Sequence, residues 1–177
     1  MTPAEIAKYR KLPPRLIAVV LAAEPTETLA MLAVRRMLAD RDSALLVLSG
    51  NAGCGKTFAA AWAVANHPGH AYWLVAPTLA RPPVEGTSDP VDRACEVDLL
   101  ALDDLGIEHS PGGYALSRIQ AILESRELDR LKTIISTNLT TPEFLARYGE
   151  RLASRINGDP IGWHAVGGID LRRREGV

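Results

Sequence analysis

Two cysteines, Cys54 and Cys95, are all the thiols in 177 residues, and the four histidines His67, His70, His109 and His164 show no paired ligand spacing. Without a CxxC pair or a Cys/His cluster, neither a disulfide framework nor a zinc site is indicated, and a reducing cytoplasm is the expected compartment. Aromatic residues make up only 5% of the chain, and none lies between Trp73 and Tyr114, so that stretch offers no platform for stacking bases. The longest apolar runs, Leu16 to Ala23 and Phe58 to Ala65, are eight residues each, against the roughly 18 that suggest a membrane span. Met1 to Ile6 shows no basic region leading into an apolar stretch and a small-residue cleavage site, so no export and no membrane partner are expected. Charge is balanced: 20 Lys+Arg against 21 Asp+Glu leave a net charge of −1, which removes the uniformly basic signature of proteins that coat nucleic acid by charge alone. It is nevertheless uneven, with Lys8, Arg10, Lys11 and Arg15 near one end and Arg172-Arg173-Arg174 near the other. Between Val84 and Glu108, eight acids stand against Arg93, and that stretch would repel a phosphate backbone.

Hydrophobic residues at 47% and charged ones at 23% are close to globular averages, enough for one domain with its own core. We place a short N-terminal segment and helix in residues 1–40 and the core in 41–177. The spacing predicts a helix over Thr26 to Ala39, with Thr26 as its N-cap. Ala44 to Ser49 is an apolar run of the kind a strand buried on both faces presents. The alanine-rich segment Lys56 to Asn66 predicts a helix, and His70 to Val75 a second strand. Arg81 to Pro90 is too rich in turn residues for regular structure and is expected to be a surface loop. A third strand, Val97 to Leu102, leads into Asp103-Asp104-Leu105-Gly106. After Gly112-Gly113 a helix places Leu116, Ile119, Ile122 and Leu123 on one face, and Lys132 to Thr137 predicts a fourth strand ending at Asn138. Strands alternating with helices imply an α/β fold, a parallel sheet with helices on both faces. Ligands bind such sheets beyond the carboxyl ends of the strands, where the glycine turn, the acid pair and Asn138 should converge.

Gly50-Asn51-Ala52-Gly53-Cys54-Gly55-Lys56-Thr57 fits the GxxxxGK[ST] phosphate-binding pattern in full, between a predicted strand and a predicted helix. Its glycines let successive N–H groups point inward at a helix N-terminus whose dipole favours an anion. Lys56 would reach the β and γ phosphates of a nucleotide such as ATP, and the Thr57 hydroxyl suits a hard Mg²⁺ ion. Asp103, after four apolar strand positions, is the natural Walker B carboxylate for that ion, and Asp104 would polarise the attacking water. Many related ATPases have glutamate where Asp104 stands. Aspartate is one methylene shorter, so slow basal hydrolysis is expected. Asn138 could hydrogen-bond the γ phosphate or the water, or simply form an Asx turn. Arg151 and Arg155, four apart on a predicted helix face, are either surface charges or a trans-acting group at a subunit boundary, and spacing alone does not choose.

Taken in order, the P-loop, the block Leu99-Leu100-Ala101-Leu102-Asp103-Asp104-Leu105-Gly106, the strand Thr133-Ile134-Ile135-Ser136-Thr137-Asn138 and the block Gly149-Glu150-Arg151-Leu152-Ala153-Ser154-Arg155-Ile156 resemble the AAA+ ATPases of the DnaC/IstB group. Leu12-Pro13-Pro14-Arg15-Leu16 is similar to that group's entry segment, and the likeness extends to about Arg172. The resemblance implies a three-layer α/β/α P-loop fold with a five-stranded parallel sheet in the order 5-1-4-3-2, Trp163 to Val166 supplying the fifth strand. It implies Asn138 as the sensor 1 residue, Arg155 as an arginine finger acting in trans, with Arg151 as fallback, and Arg172 as sensor 2. It further implies an ATP- and Mg²⁺-dependent ATPase that assembles with itself and engages a replicative helicase, or a transposase if the IstB-like reading holds. A small P-loop phosphotransferase is the alternative from the residues alone. Two departures stand out. Only about forty residues precede the P-loop strand, where loaders carry a helicase-gripping domain. The acidic, proline-rich stretch before Asp103 replaces the element with which loaders touch single-stranded DNA.

Overall fold

In the computed structural model, which describes residues 2–22, 24–109, 111–160 and 162–167, the apolar runs become five parallel strands. These are β1 (Leu45–Ser49), β2 (Ala71–Val75), β3 (Leu99–Leu105), β4 (Lys132–Thr137) and β5 (Gly162–Ala165). Their order is β2-β3-β4-β1-β5, the implied 5-1-4-3-2 read from the other flank. Around them lie α1 (Pro3–Tyr9), α2 (Pro14–Ala22), α3 (Leu29–Ala39), α4 (Lys56–Asn66), α5 (Pro90–Glu96), α6 (Tyr114–Leu128), α7 (Thr141–Tyr148) and α8 (Glu150–Gly158). Because strand side chains alternate, each strand feeds two cores. Leu46, Leu48, Ala101 and Ile134 pack with Val20, Met31, Val34 and Ala60 from α2, α3 and α4. Val47, Leu102 and Ile135 pack on the other face with Ala94, Ile119, Phe144 and Ile156 from α5 to α8. The result is the expected three-layer sandwich. No helix among the described residues is long and apolar enough to cross a membrane.

Four local expectations need correction. The third helix starts at Leu29, not after Thr26, because the Thr28 hydroxyl accepts the Met31 N–H at 3.1 Å. Glu27 then stays outside the first turn, where Arg35 holds it at 2.9 Å. The expected loop over Arg81 to Pro90 holds as far as Asp89, but Pro90, at a helix N1 position that needs no N–H, opens α5, and Asp89 Oδ1 caps it by accepting the Val91 N–H at 2.8 Å. Val97 belongs to the end of that helix, its N–H donating to the Arg93 carbonyl, so the third strand begins at Leu99 and runs through both acids. Finally, α1, α2 and α7 were not expected, although two of them carry a capping box. Thr2 N–H donates to Glu5 Oε2 at 2.6 Å, and Thr140 N–H to Glu143 Oε2 at 2.8 Å.

In a parallel sheet the covering helices run back toward the amino ends of the strands, so their unsatisfied C-terminal carbonyls collect along that edge. Three cations meet them there. Lys132 Nζ donates to the Met37, Asp40 and Ser43 carbonyls at 2.7 to 3.0 Å, closing α3. Arg126, 1% exposed, donates to the carbonyls of Ala94, Val97 and Lys132 at 2.7 Å and to Thr133 Oγ1 at 2.8 Å, closing α5. Arg10 donates to the carbonyls of Val64, Ala65, His67 and Gly69 at 2.7 to 3.1 Å, closing α4. Burial pushes all three below their ordinary pKa, Arg126 to about 10, yet each remains charged at neutral pH and complements a helix dipole. Arg10 has a second role: its carbonyl accepts the Trp73 N–H at 2.9 Å, so the chain after α1 covers the open side of β2.

Candidate functional site

Between Ser49, the last residue of β1, and Lys56, the first of α4, the chain makes its glycine turn. Gly50 is obligatory for lack of room: a Cβ there would lie 2.1 Å from the Val166 carbonyl oxygen just beyond β5. Gly53 and Gly55 adopt left-handed backbone at φ 84° and 91°, which glycine tolerates without cost to a side chain. The N-cap of α4 is Gly55, which has no side chain to offer, so the first-turn N–H groups face the turn uncapped. The buried Cys54 thiol donates to the Asn51 carbonyl at 2.9 Å and braces the loop, while Asn51 and Ala52 stand exposed on its rim.

Lys56 is 7% exposed, and its Nζ donates to the carbonyls of Gly50 and Asn51 at 2.6 and 2.8 Å and to Asn138 Oδ1 at 3.0 Å. None of these partners is a carboxylate. A buried ammonium with only dipoles around it is costly unless an anion completes the site.

Across the sheet the acids present the opposite case. Asp103 is 5% exposed, and the Thr57 hydroxyl donates to its Oδ1 at 3.2 Å. Burial pushes its carboxyl above the ordinary aspartate range, and the nearby charge of Asp104 adds to this; hydrogen bonds from Ser136, Thr57 and the Asp104 backbone only partly offset it. No cationic side chain among the described residues pairs with it.

The acid pair also interrupts the sheet's register. Leu102 lies opposite Ile135 and Leu105 opposite Thr137, so Asp103 and Asp104 together face Ser136. That is a β-bulge, a device that re-aims side chains at strand ends near active sites. Asp104 accommodates it with left-handed backbone at φ 58°, which aspartate adopts more readily than most residues. Ser136, 1% exposed, fills the bulge: its hydroxyl donates to Asp103 Oδ1 at 2.5 Å and accepts the Asp104 N–H at 3.0 Å. Sequence reasoning missed Ser136. The signal was there, a hydroxyl residue among the apolar positions of a buried strand.

Beyond the bulge, the buried Glu108 accepts the Gly106 N–H at 2.7 Å, the Arg147 Nε at 3.1 Å and the Tyr148 hydroxyl, which ties the exit of β3 to the last turn of α7. Burial, reinforced by Glu108, raises the Tyr148 pKa and keeps that hydroxyl a donor.

The structure thus brings together Gly50 to Thr57, Asp103, Asp104 and Asn138, all at carboxyl ends of strands. Arg155 is not among them. Its Nε lies 2.6 Å from Glu127 and its Nη1 3.5 Å from Glu124, both on α6, and Arg151 lies 3.5 Å from Glu124. Arg155 and Glu127 line a cleft of about 510 Å³ with Leu45 and Thr133, at the amino ends of β1 and β4 and so at the opposite edge of the sheet. Arg172 lies outside the described residues.

Tested against a nucleotide and its metal, the donor set fits. Gly50, Gly53, Gly55 and the α4 N-terminus would form the anion cradle, with Lys56 supplying the charge. No group of three His, Cys, Asp or Glu side chains among the described residues could cage a metal. One hydroxyl and one carboxylate, with phosphate and water oxygens completing the shell, are what Mg²⁺ accepts and zinc does not.

No protein-family model matches the chain, and no curated protein matches it. Solved structures do. A primosome component from Streptococcus pyogenes serotype M3 aligns with a TM-score of 0.68 at 19% identity, covering 96% of this chain and 97% of that one. The DnaC helicase loader aligns with a TM-score of 0.65 at 20% identity over 88% of this chain and 99% of that one. The replication initiator DnaA bound to AMPPCP and single-stranded DNA aligns with a TM-score of 0.67 at 23% identity over 88% of this chain. The chain spans about half the length of the replication initiators it matches. The chain therefore has the fold of these loader and initiator structures, a parallel five-stranded α/β/α sandwich.

Proposed function

We propose that this chain is a Mg²⁺-dependent AAA+ ATPase whose nucleotide state controls self-assembly and the engagement of a partner in DNA replication. One observation carries the reading: among the described residues, a buried ammonium without a carboxylate, Lys56, and a buried carboxylate without a cation, Asp103, flank a glycine nest. Mg²⁺, held by Thr57 and Asp103, would neutralise charge on the β and γ phosphate oxygens. The loop amides and Lys56 bind the phosphates, Asp104 accepts a hydrogen bond from the attacking water and orients it, and Asn138, already bonded to Lys56, supplies the sensor amide. Hydrolysis is slow in the single chain, because the arginine needed for transition-state charge comes from a neighbour. Arg155 fits that role: lying at the far edge of its own sheet, it serves a second copy's nucleotide and leaves Glu124 and Glu127 to do so. The loader and initiator structures support a replicative helicase as the partner to test first.

Calorimetric titration with ATP, ADP and GTP in Mg²⁺ is expected to give binding to the native protein and none to Lys56→Ala; native protein without binding overturns the reading. Equal mixing of Lys56→Ala and Arg155→Ala, each inactive alone, is expected to restore hydrolysis, because a mixed interface joins an intact cradle to an intact arginine. No recovery from two folded, assembling variants overturns the trans role.

A further inference from the structure

We propose that Ser136 is the positioning residue of the acid pair: its buried hydroxyl, bonded at once to the Asp103 carboxylate and the Asp104 N–H, sets the orientation of both acids through the bulge.

The inference rests on the nucleotide reading above and adds a residue to it. Two neighbouring strand residues normally point to opposite faces. A metal ligand and a water-orienting carboxylate that are adjacent in sequence would therefore be separated by the sheet. The bulge removes that conflict by setting Asp103 and Asp104 against the single residue Ser136. The extra residue leaves one N–H without its ladder partner, and a buried N–H without an acceptor costs about 1–3 kcal/mol. Ser136 Oγ accepts this N–H, from Asp104, at 3.0 Å, and its own proton goes to Asp103 Oδ1 at 2.5 Å. The hydroxyl therefore fixes the left-handed turn at Asp104 and the direction of the Asp103 carboxylate together.

A buried hydroxyl with only a packing role bonds the nearest carbonyl, and two neighbours show this. Ser49 Oγ donates to the Leu139 carbonyl and Thr137 Oγ1 to the Leu105 carbonyl, each at 2.6 Å. Ser136 bonds the two acids of the site instead. Its Oδ1 partner is the atom that also accepts from Thr57, so Ser136 and Thr57 orient one carboxylate from two sides and leave the other oxygen, Oδ2, free of both.

The test compares Ser136→Ala and Ser136→Thr with the native protein in two measurements. The first is calorimetric ATP binding across a Mg²⁺ series. Affinity without Mg²⁺ is expected to stay within about twofold of native in Ser136→Ala, since the loop cradle is untouched, whereas the Mg²⁺ concentration that half-saturates the tightening rises about tenfold. The second is hydrolysis, where kcat falls about tenfold or more while KM for ATP changes less than about threefold. Ser136→Thr, which keeps the hydroxyl, is expected to return both towards native. A folded Ser136→Ala with native Mg²⁺ dependence and native kcat overturns the proposal, as does a threonine variant no better than alanine. If alanine prevents folding, Ser136→Cys, close in size but a weak donor, carries the same expectations. Native protein that binds no ATP sinks the nucleotide reading and this proposal with it; native protein that binds, beside an unaffected Ser136→Ala, sinks this proposal alone.

Discussion

Asp103→Asn is expected to raise the melting temperature of the nucleotide-free protein by about 2–4 °C while lowering Mg²⁺-dependent hydrolysis on the order of a hundredfold. The two effects share a cause. Asp103 is buried beside Asp104 with no cationic partner among the described residues, so its ionised form weakens the folded state. The amide removes that charge and keeps an oxygen to accept from Ser136 and Thr57. The pH dependence fixes the sign. The folded-state pKa lies above the unfolded value of about 3.9. Protonation therefore stabilises the native fold, a contribution complete below that value and lost as pH rises through the raised folded one. Scanning calorimetry should find asparagine and aspartate equal in acid, with the advantage of asparagine opening as pH rises through the raised folded-state pKa. Added Mg²⁺ and ATP should reverse the order, since only the carboxylate gains from the metal. An asparagine variant less stable than native at neutral pH would show that the site's charge is balanced by means other than a bound cation.

Removal of the Arg126 guanidinium should produce the largest loss of stability of any single substitution named here. Arg126→Met keeps an apolar stem but strips the donors from three carbonyls, two of these bonds being buried, and from the Thr133 hydroxyl. Taking one partner from a buried charged network costs about 3–5 kcal/mol. That is a large share of the roughly 5–15 kcal/mol that separates native from unfolded chains. Urea unfolding should show it as a midpoint shift with little change in slope, whereas Arg41→Ala, exposed on the loop after α3, should move the midpoint hardly at all. Equal midpoints for the two would mean that water replaces the guanidinium at the foot of the sheet.

What could be read from the sequence followed from how local each signal is. The P-loop helix, Lys56–Asn66, and the strand Lys132–Thr137 were legible to the residue, because a glycine turn and a run of β-branched residues mark their ends. The strand order and the fifth strand came from resemblance alone. Periodicity failed where a helix is short. The two capping boxes at Thr2 and Thr140 were in plain view, but α1 and α7 have too few turns to establish an apolar repeat. At the acid pair the failure was geometric. A bulge adds a residue without changing composition, so nothing in Leu99 to Leu105 announces that Asp103 and Asp104 share one partner. Ser136 became visible only once that register was known. The placement of Arg155 at the edge of the sheet opposite its own loop was beyond any reading of spacing, since it depends on which end of the sheet α8 returns to.

The hydrogen bond from the Trp73 N–H to the Arg10 carbonyl bears on what the outer side of β2 is free to pair with. A flank strand with free amides is a template on which another chain can grow, and β2 is apolar along its whole length. Trimming the first dozen residues would strip that guard and take the Arg10 cap from the C-terminus of α4 in the same cut. The shortened chain is expected to scatter light and form β-rich aggregates at concentrations where the intact one stays clear, which makes the N-terminal helix an anti-aggregation device as much as an entry into the fold.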